Sequence, residues 1–300
     1  MMPTPIPYLG EILSLIAAVL WAFAVIMFKK SGERIPPLAL NLFKNVLAAL
    51  LFIPTIAILN QGRLPMVPGS DYLVLIASGV LGIGIGDSLY FYSLNLLGAG
   101  LSAIVVCLYS PFIIFLSVLW LGETLTLLQA AGTGLIIAAI FIATYQRPKQ
   151  GEARSRHHAA GIVFGILANA ANAVSIVSVK PVLERTPVIW SAEIRLLSGI
   201  AALVLLLAIL PGRKRILAPL AANQRWLATV IGSLIGAYGA MMVWLAGMKY
   251  TEASVASALN QTSTVFIFIF AWLLLKEPVN LKRIVGIILA FVGVFLVTFG

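Results

Sequence analysis

The amino-acid sequence predicts an all-α integral membrane protein with ten transmembrane helices, arranged as two inverted five-helix repeats. The prediction rests on the apolar composition, the regular spacing of long apolar segments and a similarity between the two halves of the chain. Of the 300 residues, 61% are hydrophobic and 10% are charged, with a mean hydropathy of +1.06. A soluble domain carries roughly 25% charged residues, so the composition excludes a soluble enzyme.

Ten apolar segments of transmembrane length follow one another along the chain. Because lipid cannot hydrogen-bond the backbone, each segment of about 20 apolar residues is predicted to be a helix. The predicted spans are roughly 9–29, 37–60, 72–96, 99–121, 127–146, 160–181, 188–210, 226–249, 253–275 and 281–299. The basic segment 147–159 is predicted to be a linker loop between a first repeat, 1–146, and a second repeat, 160–300.

The second half of the sequence repeats features of the first half in the same order. Residues 29–44 align with residues 180–195 at a shift of 151, which places Lys44 over Arg195. Further along, a shift of 154 places Glu123 over Glu277. Because each copy has five spans, the second copy starts on the opposite side of the membrane. Inverted repeats are typical of secondary transporters, whose substrate site lies near the midplane where the halves meet.

The aligned positions also resemble a known family. Pro36 and Pro187 precede the second span of each half, and Lys44 and Arg195 follow in the first part of that span. The fourth and fifth spans meet at "LGETLTLLQAAG" in the first half and at the altered "LKEPVNLKRIVG" in the second. This pattern resembles the EamA-type ten-helix carriers of the drug/metabolite transporter superfamily over nearly the whole chain. The resemblance implies a membrane carrier for a small metabolite.

This chain lacks the proton-coupling glutamate that related proteins carry in their first helix. Small multidrug-resistance relatives carry a proton-coupling glutamate midway along their first helix, and the aligned positions here hold Trp21 and Asn172. Glu11 lies nearer the start of the first span. Glu11 and Asp87 are therefore the candidates for proton coupling.

Lys44 is a cation within an apolar span, where an ionisable side chain costs about 3 kcal/mol or more. Its stem could bend back to the lipid headgroups. Alternatively, Asn41, Lys44 and Asn45 share one helical face and form a polar stripe toward the protein interior. Arg195 at the matching position favours the interior. Two cations at such positions suit a carboxylate or another anionic part of a substrate.

Asp87 is the most deeply placed carboxylate of the predicted spans. Three interpretations remain open: an ion pair with Lys44, a contact with a substrate amine, and a proton-coupling site. Further polar and aromatic residues in the spans could line a binding site, because they offer both apolar surface and hydrogen-bonding groups. Packing between helices explains each of these residues equally well. The predicted substrate-binding set is Asn41, Lys44, Asp87, Tyr90, Arg195, Trp244, Asn260 and Thr264. Pro111 is predicted to kink the fourth helix and to serve a gate.

These residues predict a secondary active transporter that moves a small organic metabolite, an amino acid or a similar zwitterion or anion, by alternating access and in the export direction. The alternatives are an intramembrane enzyme acting on lipid or peptide, and a channel. An enzyme needs a nucleophile with its base or a metal cluster at membrane depth, and the spans contain no histidine. We expect no cofactor and no metal. The expected partners are the substrate, the lipid bilayer and protons, without nucleic acid, for a monomer or homodimer.

The membrane orientation follows from the basic residues, which lie in short connections and suit anionic lipid headgroups. Connections after the first, fifth, seventh and ninth spans hold most of the lysines and arginines. The positive-inside rule therefore places both termini outside a bacterial or archaeal cytoplasmic membrane. The family resemblance implies the reverse, with both termini inside.

Labelling of an introduced cysteine, Arg154→Cys, distinguishes the two orientations. We expect a membrane-impermeant maleimide to label it only after the cells are opened, because the linker is cytoplasmic in the charge-based orientation. The unsubstituted protein gives the background at Cys107. Labelling in intact cells would show that the termini lie inside.

Overall fold

The computed structural model describes residues 8–59, 67–121, 126–144, 154–222, 226–251, 256 and 259–299, and their regular secondary structure is entirely helical. The long helices are α1 Leu9–Gly32, α2 Pro37–Leu59, α3 Gly69–Leu97, α4 in two parts, Ala99–Val106 and Tyr109–Leu121, α5 Leu127–Thr144, α6 Arg154–Arg185, α7 Val188–Ile209, α8 Trp226–Tyr250, α9 Leu259–Leu275 and α10 Leu281–Phe299.

Seven of these helices, α1 to α4 and α6 to α8, are long and apolar enough to cross a membrane. Shorter apolar helices occupy residues 127–139 in α5 and 259–275 in α9. The prediction of a multi-pass, all-helical membrane protein is confirmed at this level. For α5, α9 and α10 the membrane span stays a prediction.

Two segments differ from the predicted loops. The described part of the predicted linker, residues 154–159, is helical, because α6 begins at Arg154. A short helix, Arg213–Ala221, lies between α7 and α8 where a loop was predicted. Ile216 and Leu217 of this helix pack against an apolar group that includes Leu203 of α7. Partial burial of these two side chains explains why the segment folds onto the bundle.

Two of the long helices widen into π-helix near their middle. The π segments are Gly79–Gly86 in α3 and Ser233–Ala240 in α8. Small residues let neighbouring helices approach these segments closely. A Cβ atom at Gly79 would lie closer than 3.0 Å to the backbone of Arg195 in α7. The glycine-rich sequence of α3 therefore serves close helix packing.

The helices of each half pack against helices of the other half. The start of α1 lies beside the end of α8, where Gly10 approaches Thr251, and the start of α6 lies beside the end of α3, where Gly161 approaches Leu97. Helices α2 and α7 pack against each other, and so do α5 and α10. The two halves are thus interleaved.

Polar contacts at the helix ends define the direction of the helices. Lys249, near the end of α8, donates to the carbonyl oxygen of Thr186, directly after α6, at 2.9 Å. Since Gly10 also lies at the end of α8, α1 starts at the end of the bundle where α6 finishes. At the opposite end, Glu277 accepts hydrogen bonds from the backbone N–H groups of Ala99 and Gly100, at 2.7 and 3.0 Å. The connection between α9 and α10 therefore caps the start of α4.

A substitution at Gly79 tests the close packing of α3 on α7. We expect Gly79→Ala to lower the stability by about 1–3 kcal/mol, because the added methyl group meets the α7 backbone. Thermal unfolding of the purified protein in detergent measures the effect. Gly134→Ala in α5 is the matched control, since its Cβ meets nothing within 4 Å. Equal stability of the two variants would contradict the packing.

Candidate functional site

A cavity of about 180 Å³ lies where helices of both halves meet. Its described wall contains two cations, one carboxylate, several amides and an aromatic surface. The lining residues are Ala17, Trp21, Lys44, Ile83, Asp87, Tyr90, Val106, Tyr109, Asn169, Asn172, Ile176, Arg195, Gly236, Ala237, Ala240, Met241, Trp244, Leu245 and Asn260.

Lys44 is fully inside the protein and forms an ion pair with Asp87. The Nζ–Oδ2 distance is 2.6 Å, and the side chains of Lys44 and Asp87 are 1% and 18% exposed. The ammonium also donates to Oδ1 of Asn45 at 3.1 Å and lies 5.7 Å from the ring centroid of Phe91, within reach of a cation–π interaction. The sequence left open whether Lys44 faces the headgroups or the interior and which group pairs with Asp87. In the structure Lys44 faces the interior and forms an ion pair with Asp87.

The polar stripe of α2 continues this interaction into the π segment of α3. Asn45 donates to Oδ1 of Asn41 at 2.9 Å, and Asn41 donates to the carbonyl oxygen of Ile83 at 2.8 Å and to Oγ of Ser88 at 2.9 Å. Asn41 is fully buried and is not part of the cavity wall. It joins α2 to α3 and holds the stripe in place.

Arg195 has a different environment from Lys44. Its side chain is buried, 8% exposed, and its Nη2 donates to Oγ of Ser175 at 3.2 Å. Within the described residues, Nη1 has no hydrogen-bond partner and no carboxylate forms an ion pair with the guanidinium. Ser175 is in turn fixed by donating to the carbonyl oxygen of Ser78 at 2.7 Å. Arg195 thus lines the cavity, while its Nη1 is a buried donor without a partner among the described residues.

Aromatic side chains form much of the remaining wall. The rings of Trp21 and Tyr90 lie 6.0 Å apart between centroids, and Trp244 and Tyr109 also line the cavity. The Tyr90 hydroxyl is buried without a hydrogen-bond partner among the described residues. The wall therefore combines apolar aromatic surface with a few polar side chains, as ligand pockets commonly do.

Helix α4 is interrupted at residues 107 and 108, one turn before Pro111. Proline lacks an N–H group and its ring displaces the carbonyl four residues earlier, here that of Cys107. Asn169 donates to the carbonyl oxygen of Val105 and Gln261 to that of Val106, both at 3.1 Å. The interruption agrees with the predicted kink, whereas the role of Pro111 in a gate stays a prediction.

The structure separates Asn260 from Thr264, two members of the predicted binding set. Helix α9 is interrupted between them at Thr262, so the regular periodicity does not hold. Asn260 lines the cavity. Thr264 is directed at α4, where its Oγ1 accepts from Sγ of Cys107 at 3.7 Å. The structure therefore brings Asn260, but not Thr264, to the cavity.

Five members of the predicted binding set besides Asn260 line the cavity together: Lys44, Asp87, Tyr90, Arg195 and Trp244. Glu11 lies outside the cavity at the start of α1, where it accepts a hydrogen bond from Thr251 at 3.0 Å. Ser175, the partner of Arg195, is twenty residues away on α6, and no sequence pattern predicts this contact. Met241 also lines the cavity and was not predicted. It aligns with Asp87 at a shift of 154, and this alignment could have identified it.

The apolar helices, and the cavity between them with its charged and aromatic side chains, are those of a multi-pass membrane protein of the transporter class. The chain belongs to the EamA-like transporter family, whose model matches residues 8–145 and 159–299. The resemblance found in the sequence is thereby confirmed.

Relatives of this chain carry matching descriptions. A protein of Archaeoglobus fulgidus described as an uncharacterized transporter is 25% identical over 285 residues, covering 95% of this chain and 96% of the relative. The uncharacterized transporter YetK of Bacillus subtilis is 31% identical over 120 residues, covering 40% of this chain and 35% of its own. A solved crystal structure matches with a TM-score of 0.69 at 17% identity, covering 97% of this chain and 96% of that one, and shares the fold.

Two substitutions test the different environments of Lys44 and Arg195. Lys44→Met leaves Asp87 without its partner, and we expect a loss on the order of 3 kcal/mol. Arg195→Met removes a buried charge that has no counter-ion, so the stability should stay equal or rise. Thermal unfolding in detergent measures both. The double variant Lys44→Met with Asp87→Asn should recover most of the loss, and a similar loss in both single variants would contradict this assignment.

Proposed function

We propose that the chain is a secondary active transporter that moves a small organic metabolite through the cavity by alternating access between two inverted five-helix repeats. The observation that carries this proposal is the cavity itself. It lies where both halves meet and presents a buried arginine with an unused donor beside aromatic side chains. Such a wall can bind a polar group and an apolar body together.

Matching features support two related halves. The family model matches two stretches of similar length, 8–145 and 159–299. The π segments of α3 and α8 occupy equivalent positions, 79–86 and 233–240. Lys29 donates to the carbonyl oxygen of Leu94 at 3.2 Å, and its counterpart Lys180 donates to that of Met248 at 2.8 Å. The same contact thus occurs once in each half.

The contacts at the helix ends support the inverted relation. Helix α1 starts where α6 finishes, and these helices are the first of each proposed repeat. Each also packs on the third helix of the other repeat, α8 or α3. An arrangement of this kind lets one half rock against the other around a central site.

The finer features of the transport cycle are part of the proposal. The substrate is a carboxylate-containing metabolite, an amino acid or a related zwitterion or anion, and its movement is export. Asp87 is the group for proton coupling, because its protonation would release Lys44 from the ion pair. Glu11 is the weaker candidate since it lies outside the cavity. We place both termini outside and leave a monomer and a homodimer as alternatives.

Counterflow in liposomes tests this function. The purified protein is reconstituted, preloaded with an unlabelled amino acid or monocarboxylate, and supplied with the same labelled compound outside. We expect saturable uptake that exceeds the uptake of vesicles without preloading, because a carrier exchanges its substrate. Arg195→Gln should abolish the uptake, whereas Arg213→Gln in the exposed short helix should retain it.

The same measurement separates a carrier from the alternatives. Uptake that rises linearly with concentration and ignores preloading would indicate a channel. A chemically altered compound inside the vesicles would indicate an enzyme. Either result would overturn the proposed function.

A further inference from the structure

We propose that the substrate carries a single carboxylate that pairs with Arg195. This carboxylate would be to Arg195 in the second half what Asp87 is to Lys44 in the first half. This inference rests on the proposed function and specifies its substrate class. The cavity then selects small monocarboxylate anions with an apolar body over zwitterions and amines.

The proposal starts from four cavity residues at equivalent positions of the two halves. Lys44 and Arg195 are each the eighth residue of their helix, α2 or α7. Asp87 and Met241 each directly follow the π segment of their helix, α3 or α8. All four line the cavity. The first half therefore pairs a cation with a carboxylate, whereas the second half places a methionine where the carboxylate would be.

The charge of the cavity follows from this difference. Lys44 and Asp87 neutralise each other at 2.6 Å. No carboxylate of the described residues lies within ion-pair distance of Arg195, and Asp87, the only carboxylate of the described wall, acts on it at longer range while paired with Lys44. A buried charge without a partner is unfavourable, so a ligand that brings one negative charge is favoured.

The hydrogen bonds of the guanidinium leave a place for the carboxylate. Ser175 accepts from Nη2 at 3.2 Å, and Nη1 remains without a partner within the described chain. The residues of α7 that correspond to Asn41 and Asn45 are Ala192 and Leu196, which cannot hydrogen-bond through their side chains. A carboxylate that reaches the guanidinium from the cavity would form a charge-assisted hydrogen bond.

The remaining wall defines the other parts of the substrate. Asp87 is the only carboxylate of the described wall and Lys44 already compensates its charge, so an ammonium group would find no uncompensated negative charge there. Trp21, Trp244 and Leu245 instead offer apolar surface. The cavity volume of about 180 Å³ is comparable to cavities of about 150 Å³ that hold benzene. Benzoate therefore matches the charge, the polarity and the size of the site.

The test compares three probes with the same ring and different charges. Thermal unfolding of the purified protein in detergent is followed with benzoate, phenylglycine and benzylamine at millimolar concentration and equal ionic strength. We expect benzoate to raise the melting temperature, phenylglycine to raise it less and benzylamine to leave it unchanged, since a ligand stabilises the state that binds it.

Substitutions of Met241 locate the binding charge. Met241→Asp supplies the missing carboxylate within the chain, so it should retain the ligand-free melting temperature and weaken benzoate binding by about tenfold or more. Met241→Asn is the matched neutral control and should keep the benzoate response. If Met241→Asp fails to fold, Arg195→Gln and Arg195→Lys replace it, with loss of the response in the first and a weaker response in the second.

Each outcome decides the proposal. No response to benzoate, a larger response to phenylglycine or benzylamine, or an unchanged affinity in Met241→Asp or Arg195→Gln would overturn it. Saturable counterflow of an amino acid without a benzoate response would overturn this substrate class and leave the carrier intact. Benzoate binding without flux of any monocarboxylate or amino acid would support the site and contradict the transport function.

Discussion

The ion pair between Lys44 and Asp87 is the interaction on which the polar interior of this protein depends. Either charge alone would be costly among apolar helices, because its hydration is lost there. The pair also joins α2 to α3, and the asparagines of α2 extend the connection to the backbone of the π segment. A single network thus accommodates the charges and fixes two helices beside the cavity.

The cavity is chemically unequal on its two sides although the surrounding helices correspond. The first half supplies Lys44 with a carboxylate and one asparagine, whereas among the described residues the second half supplies Arg195 with Ser175 alone. If the halves descend from one repeat, as we propose, the second has lost or never gained the acidic residue. In the proposed transport cycle the two related halves would provide the two access routes, and the unequal wall would provide recognition.

Irregular backbone is concentrated around the cavity. Ile83 and Gly236 belong to the π segments, and Val106 and Asn260 lie next to the interruptions of α4 and α9; all four line the cavity. Non-helical backbone at membrane depth is tolerated only where protein or a cavity satisfies its polar groups. Here Asn41, Asn169 and Gln261 supply such hydrogen bonds. Helix irregularities are also places where helices bend, and they border the proposed site.

The sequence by itself determined the membrane environment, the family and the positions of Lys44 and Arg195, because apolar length, composition and order are properties of the chain alone. The sequence could not decide whether the Lys44 side chain reaches the headgroups or the protein interior, nor which group contacts Asp87. Helical periodicity shows which residues share a face, but it does not show which helix packs against that face. Hydropathy does not reveal π segments or the interruption at Thr262, which separates Asn260 from Thr264. Only the tertiary structure gave Asp87 to Lys44 and left Arg195 with an unused donor, because both facts depend on which helices pack together.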